Sequence, residues 1–233
     1  MCTSFTIIPT EKNVTSTNHA VADFPSTHTD LSFIDDVASV VYTTVNLQQY
    51  GLSEEAFDYA WKGYQHLLNT KKISLSNYLT ICDFSQSSKQ KRLYIIDMVK
   101  YKLVTNTYVA HGKNSGTEYA TQFSNNPESL QSSLGFYLTS GTYIGAHGLS
   151  LRVLGVDPGF NDKALERSIV IHGAAYVDRA RANAGIAMGR SWGCPAVPQN
   201  ESTNIITTIK NGTCLFIYYP MKSYLLQSKI LNG

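Results

Sequence analysis

The chain has 233 residues, a formal net charge of +2 and 43% hydrophobic residues, which suits one globular domain with a small appendage. Basic pairs occur at Lys71-Lys72 and Lys91-Arg92 but no basic block of five or more, which argues against a nucleic-acid surface. No apolar stretch approaches the roughly 18 residues that cross a bilayer, so no membrane span is expected.

The elements follow in chain order. Residues 1–29 are rich in Thr, Ser and Asn without periodicity and read as a flexible arm. The opening Met1-Cys2-Thr3-Ser4-Phe5-Thr6-Ile7-Ile8-Pro9 has no basic start and too short an apolar run for a secretory signal. From Asp30, Ile34, Val37, Ala38, Val41 and Val45 keep helical spacing, and a turn follows at Tyr50-Gly51-Leu52. Ser53 caps a second helix with Glu54 and Glu55 in its first turn and an apolar face of Phe57, Ala60, Trp61, Tyr64 and Leu68. Residues 30–72 thus form a helical N-terminal element that packs rather than binds. After Lys72 the period changes, and residues 73–233 read as the main domain. Tyr78 to Phe84, Arg92 to Val99 and Lys102 to Val109 read as strands. Residues 111–134 form a long Gly-, Asn- and Ser-rich loop, a size that is usually functional or mobile. Further strands fall at Gly135–Thr139, Leu149–Leu154, Arg167–Ile171 and Cys214–Tyr219. Ala174–Asn183 is weakly helical, and a helix covers Ser202–Lys210. Helices first and strands after predict an α+β protein whose body is mainly β, a sandwich or partly closed barrel.

Two residues point to chemistry. Cys194 lies in the polar loop Arg190-Ser191-Trp192-Gly193-Cys194-Pro195-Ala196, and His172 closes the apolar run Ile169-Val170-Ile171 about twenty positions earlier. A Cys between Gly and Pro is poorly placed for packing, and a His at a strand end is well placed to lower its pKa and take its proton. Gly193 lets the backbone come close to a substrate, and the N–H groups of Gly193 and Cys194 are candidates to receive an oxyanion. Ser191 is read as bonding within the loop, either as part of the site or as a plain turn residue. The four cysteines, 2, 82, 194 and 214, show no C-x-x-C and no metal-ligand spacing, so a zinc site is not expected. Cys82 and Cys214 lie in strand-like runs and read as small buried residues, although in an oxidising compartment they could pair. The 15 tyrosines line either a cleft or half-buried strand faces.

The same residues carry a resemblance. His172-Gly173, then Gly189-Arg190-Ser191-Trp192-Gly193-Cys194-Pro195-Ala196, resemble the signature of the L,D-transpeptidases of bacterial peptidoglycan, in the murein L,D-transpeptidase catalytic-domain branch. The likeness continues through Asp83-Phe84-Ser85, Val109-Ala110-His111-Gly112, Ser132-Ser133-Leu134-Gly135 and Tyr143-Ile144-Gly145-Ala146-His147-Gly148, covering roughly residues 50–220. It implies acyl transfer on peptidoglycan stem tetrapeptides without a cofactor, obligate protein partner or nucleic acid. Cys194 would be the nucleophile and His172 the base, oriented by the carbonyl of Gly173. D-Alanine would be released, and a 3→3 crosslink formed, or a tripeptide if water is the acceptor. A silent peptidoglycan-binding descendant and a papain-like amidase are the other readings; the His-before-Cys order counts against the latter. Arg190 first and Arg152 second are candidates for the cation that meets the substrate carboxylate. Trp192 is a cleft wall or a loop anchor, and Tyr143 and His147 are candidate substrate contacts. His111 is a weaker candidate, while His19, His28 and His66 are read as solvent or packing residues. The resemblance also implies a periplasmic or cell-envelope location, with an export signal removed. Cys2 is either incidental or a lipid acceptor.

Overall fold

The structure is a computed structural model that describes residues 31–233 apart from 74 and 76, with side chains from residue 37 onward. The expected arm 1–29, with Cys2, His19 and His28, lies outside the described residues. Those described form one compact unit. Two helices lead, α1 (Leu31–Val45) and α2 (Glu54–Asn69). Then come β1 (Tyr78–Asp83), β2 (Leu93–Asp97), β3 (Lys102–Thr107), β4 (His111–Gly112), β5 (Gly135–Gly145), β6 (Gly148–Gly155) and β7 (Val170–Ala174). The chain ends with α3 (Arg179–Asn183), β8 (Gly189–Ser191), β9 (Ala196–Pro198), α4 (Ser202–Ile209), β10 (Cys214–Tyr218), α5 (Lys222–Gln227) and α6 (Lys229–Asn232).

Eight strands form one mixed sheet in the order β3-β2-β1-β10-β5-β6-β7-β9, and β4 pairs with β8 beside it. The two edges meet: just beyond β3, the Ala110 N–H donates to the Ala196 carbonyl in β9 at 2.8 Å. That bridge makes the sheet a partly closed barrel within an α+β chain, one of the two arrangements the sequence predicts. It also brings β9, which follows the Cys194 loop, against the body of the barrel.

Helix α2 forms where Ser53 accepts the Ala56 N–H on its side-chain oxygen and Glu54 and Glu55 sit at the positive end of the helix dipole. Its buried residues include Ala56, Gly63 and Leu67 as well as the expected Phe57, Ala60, Trp61 and Tyr64, a wider stripe than the period alone implies. Leu68 is only partly buried, because Leu67 takes the core position. Gly63 is where the helix comes closest to the barrel. A Cβ there would fall 2.0 Å from the Phe136 ring, and Phe136 in turn stacks on Phe216 at 4.1 Å. The helical element therefore shares its core with the strands rather than standing apart.

At the other end, the buried Asp157 carboxylate accepts from the Phe136 N–H at 2.7 Å, the Tyr224 hydroxyl at 3.1 Å and Ser228 Oγ. These bonds tie α5 and α6 to β5. Neither helix is evident from periodicity, since each is too short to show one.

Several boundaries differ from expectation. β5 runs to Gly145 rather than Thr139, through a register shift between Thr139 and Thr142. The strand expected at Arg167–Ile171 begins only at Val170. Ser168 holds a φ of 54°, which breaks the extended chain ahead of it. Only Arg179–Asn183 of the expected Ala174–Asn183 helix forms, where Asp178 accepts the Arg181 N–H. Cys82 and Cys214 are buried free thiols on neighbouring strands. Cys82 stands opposite Ile217 and Cys214 opposite Leu79, so the register offsets them along the strands and they do not pair.

Candidate active site

Register lays out the site. Tyr143 of β5 stands opposite Ser150 of β6, Ser150 opposite His172 of β7, and His172 opposite Ala196 of β9. Directly opposed residues share a sheet face, so Tyr143, Ser150 and His172 form one row. That row floors a cavity of about 490 Å³, whose walls include His147, Arg167, Tyr176, Arg190, Trp192 and Cys194.

His172 is 5% exposed. Its Nδ1 lies 2.9 Å from the Gly173 carbonyl. A carbonyl can only accept, so Nδ1 carries the proton and Nε2 keeps a free lone pair. Burial holds the imidazole pKa below its usual value, the Gly173 bond opposes this, and the charge of His147 adds to the lowering. The His147 ring stacks on the His172 ring with centroids 4.4 Å apart and planes inclined by 20°.

Cys194 is half-buried, and its Sγ receives the Val170 N–H at 3.5 Å while facing the Ser168 carbonyl at 3.8 Å. Burial pushes the thiol pKa up. The Val170 N–H, the Arg167 charge and the thiol's own backbone N–H pull it back. Both shifts disfavour charge separation between the thiol and the imidazole.

The loop around Cys194 is fixed by its own polar groups. Ser191 Oγ donates to the Cys194 carbonyl at 2.6 Å and accepts the Gly193 N–H at 3.2 Å. Ser132 Oγ accepts the Gly112 N–H at 3.0 Å and donates to the Gly193 carbonyl at 3.1 Å. The Gly193 N–H, expected to point at an oxyanion, is thus bonded to Ser191, because the turn closes on its own hydroxyl. Gly193 has a φ of +116°, and a Cβ there would lie 2.7 Å from the Gln131 carbonyl, so conformation and space both require glycine.

Of the candidate cations, Arg190 lines the cavity with an exposed side chain set over the Tyr176 ring at 5.7 Å. Arg152 is not part of the lining; it packs over the Tyr143 ring at 4.4 Å. Trp192 lines the cavity and is 74% exposed. His111 is excluded from substrate contact. It is fully buried, accepts from Arg92 Nη2 at 2.7 Å and donates to the Gly116 carbonyl at 2.9 Å, and burial beside Arg92 lowers its pKa to about 4. His66 lies half-buried in the last turn of α2.

Arg167 is the residue that sequence reasoning missed as part of the site. Its Nη2 donates to the Gln131 carbonyl at 2.6 Å and its Nη1 to the Ser124 carbonyl at 2.7 Å and to Ser133 Oγ. It thereby fastens the 111–134 loop beside Cys194. The signal for it was a charged residue opening the apolar run that ends at His172, which reads equally well as the start of a strand.

The family of L,D-transpeptidase catalytic domains matches this chain over residues 48–218, and the chain belongs to that family. No curated protein matches it. Among solved structures it is similar to an L,D-transpeptidase from Mycobacterium smegmatis at 9% identity, covering 61% of this chain and 59% of that one, with a TM-score of 0.39. L,D-transpeptidase 1 of Mycobacterium tuberculosis is similar at 9% identity, with 61% and 62% covered and a TM-score of 0.33. An L,D-transpeptidase from Xylanimonas cellulosilytica is similar at 13% identity, with 77% and 93% covered and a TM-score of 0.35. The chain spans less than two thirds of the length of the two mycobacterial relatives.

Proposed function

We propose that the protein is a cysteine-dependent L,D-transpeptidase acting on peptidoglycan stem tetrapeptides in the cell envelope. What supports this most is the lining of one cavity by the Cys194 thiol and a buried His172 whose Nε2 is free. Residues 73–233 would carry the catalytic machinery and residues 30–72 a packing element.

Because burial disfavours a charged thiolate–imidazolium pair, proton transfer accompanies the attack. Cys194 Sγ adds to the carbonyl carbon at the L-centre of the third stem residue, a diaminopimelate, while His172 Nε2 takes the thiol proton. The resulting imidazolium is held by the Gly173 carbonyl. It returns that proton to the D-alanine amine as the C–N bond breaks, leaving a thioester on Cys194. An acceptor amine from a neighbouring stem then attacks the thioester, gives up its proton through His172, and restores the thiol with a 3→3 crosslink formed. No step calls on a metal or organic group.

The Cys194 N–H, next to the sulfur, is the oxyanion donor favoured by the geometry; the Gly193 N–H joins it only by leaving Ser191. A donor of this kind is worth about 3 kcal/mol in a transition state. Arg190 is the cation best placed for the substrate carboxylate. Arg167 is committed to the loop, and Arg152 does not reach the cavity lining.

Incubation with purified muropeptides followed by mass analysis tests the reading. Dimers that have lost D-alanine are expected. Tripeptides without dimers mean that water is the acceptor, and recovery of unchanged tetrapeptide overturns the enzymatic reading in favour of a binding protein.

A further inference from the structure

The proposed chemistry gives His147 no part, yet its ring lies flat against the proposed base. β5 and β6 are joined at Gly145 and Gly148, which pair across the hairpin, leaving Ala146-His147 at its tip. Gly148 has a φ of +76° with nothing within 4 Å of where a Cβ would stand, so the turn itself, rather than crowding, calls for glycine. The turn delivers the His147 side chain over β7, where it meets His172 face to face. Among the described residues its ring nitrogens have no hydrogen-bond partner, so what it offers is a ring face. His172 is otherwise oriented by the single bond from Nδ1 to Gly173. One bond fixes a ring atom but leaves the ring free to swing about it, whereas a stacked plane restricts that swing.

We propose that His147 is a positioning residue: stacked on His172, it fixes the imidazole plane so that Nε2 is presented to the cavity beside Cys194. The inference rests on the reading of His172 as the base. Any ring of similar size would serve, and the nitrogens of His147 are not required. The ionisable groups that surround His172 are Tyr143 and His147 from the β5–β6 hairpin, Arg167 from the segment before β7, Tyr176 after it, and Arg190 and Cys194 from the loop that carries β8. Of these, His147 alone is in ring contact with it.

The test uses the full chain with a stem tetrapeptide, comparing His147→Ala and His147→Phe with the unaltered protein. His147→Ala is expected to lower kcat about 10- to 100-fold with little change in KM, as loss of orientation without loss of a substrate contact requires. Removing the ring also admits water to the imidazole of His172, so the acid limb of kcat/KM moves to higher pH. His147→Phe is expected to recover kcat to within about three-fold, since the stack is restored. The pH dependence of Cys194 alkylation by iodoacetamide, measured without substrate, should shift in His147→Ala in the same direction. A His147→Ala protein with unchanged kcat and acid limb overturns the proposal. So does a His147→Phe protein as impaired as His147→Ala with a raised KM, which would make His147 a substrate contact. His172→Gln, run in parallel, separates the two readings. Full activity there removes the base itself, whereas loss there with unaltered His147 variants removes only the stack.

Discussion

Cys194→Ala is expected to abolish D-alanine release from stem tetrapeptides while leaving the fold intact. The reason lies in how little the sulfur does structurally. It is half-buried at the edge of the hydrophobic core, and its polar contacts are long, 3.5 Å from the Val170 N–H and 3.8 Å from the Ser168 carbonyl. The loop around it is held instead by Ser191, Ser132 and Arg167, none of which the substitution touches. Stability should therefore change by no more than about 1 kcal/mol, within the range of ordinary single substitutions. A cavity hydroxyl is a poor substitute, because an unactivated serine is a weak nucleophile and Ser191 Oγ already donates to the Cys194 carbonyl. Release of D-alanine followed by chromatography, with a thermal melt as control, checks both halves of the expectation. An unaltered release rate would remove the nucleophile assignment.

The second large effect is expected at His172. His172→Gln keeps a side-chain N–H able to reach the Gly173 carbonyl, but it supplies no base, and kcat/KM should fall by about 10²- to 10⁴-fold. The unaltered protein should show a particular acid limb. Burial lowers the His172 pKa, so the imidazole stays neutral to a lower pH than a free histidine does. Activity should then be maintained as pH falls through the ordinary histidine value near 6.5 and be lost only below it. His172→Gln should lack that limb. A limb at or above the ordinary value in the unaltered protein, or one that persists in His172→Gln, would assign the titration to another group.

Much of the site is legible in the sequence because its parts are local. Gly193-Cys194-Pro195 announces a reactive loop, and Ile169-Val170-Ile171 places His172 at a buried strand end. Ser53 with Glu54 and Glu55 gives the start of α2 to the residue, since a helix N-terminus is specified by neighbours in sequence. What escapes the sequence depends on partners far along the chain. β8 and β9 are three residues each and contain Gly and Pro, so no alternation marks them, and they are strands only because β4 and β7 pair with them. The His147–His172 stack follows from the register of β5 on β6 and β6 on β7, which no local pattern encodes. His111 was ambiguous in sequence for the opposite reason. It sits beside glycines in a polar loop like an active-site residue, yet the burial of Arg92 against it makes it part of the structural core. The Gly193 N–H was expected to be free because sequence could not show that the Ser191 hydroxyl would turn back and occupy it.

Treatment with a carbapenem, an acylating mimic of the stem peptide, reads the proposed thioester chemistry directly. Cys82 and Cys214 are completely buried and burial pushes both thiols up, Cys82 to about 12, so neither should react. Intact-mass measurement should show a single covalent addition that maps to Cys194 and is absent from Cys194→Ala. No mass gain in the folded protein, or an adduct confined to Cys82 or Cys214, would contradict the assignment of this thiol as the acyl carrier.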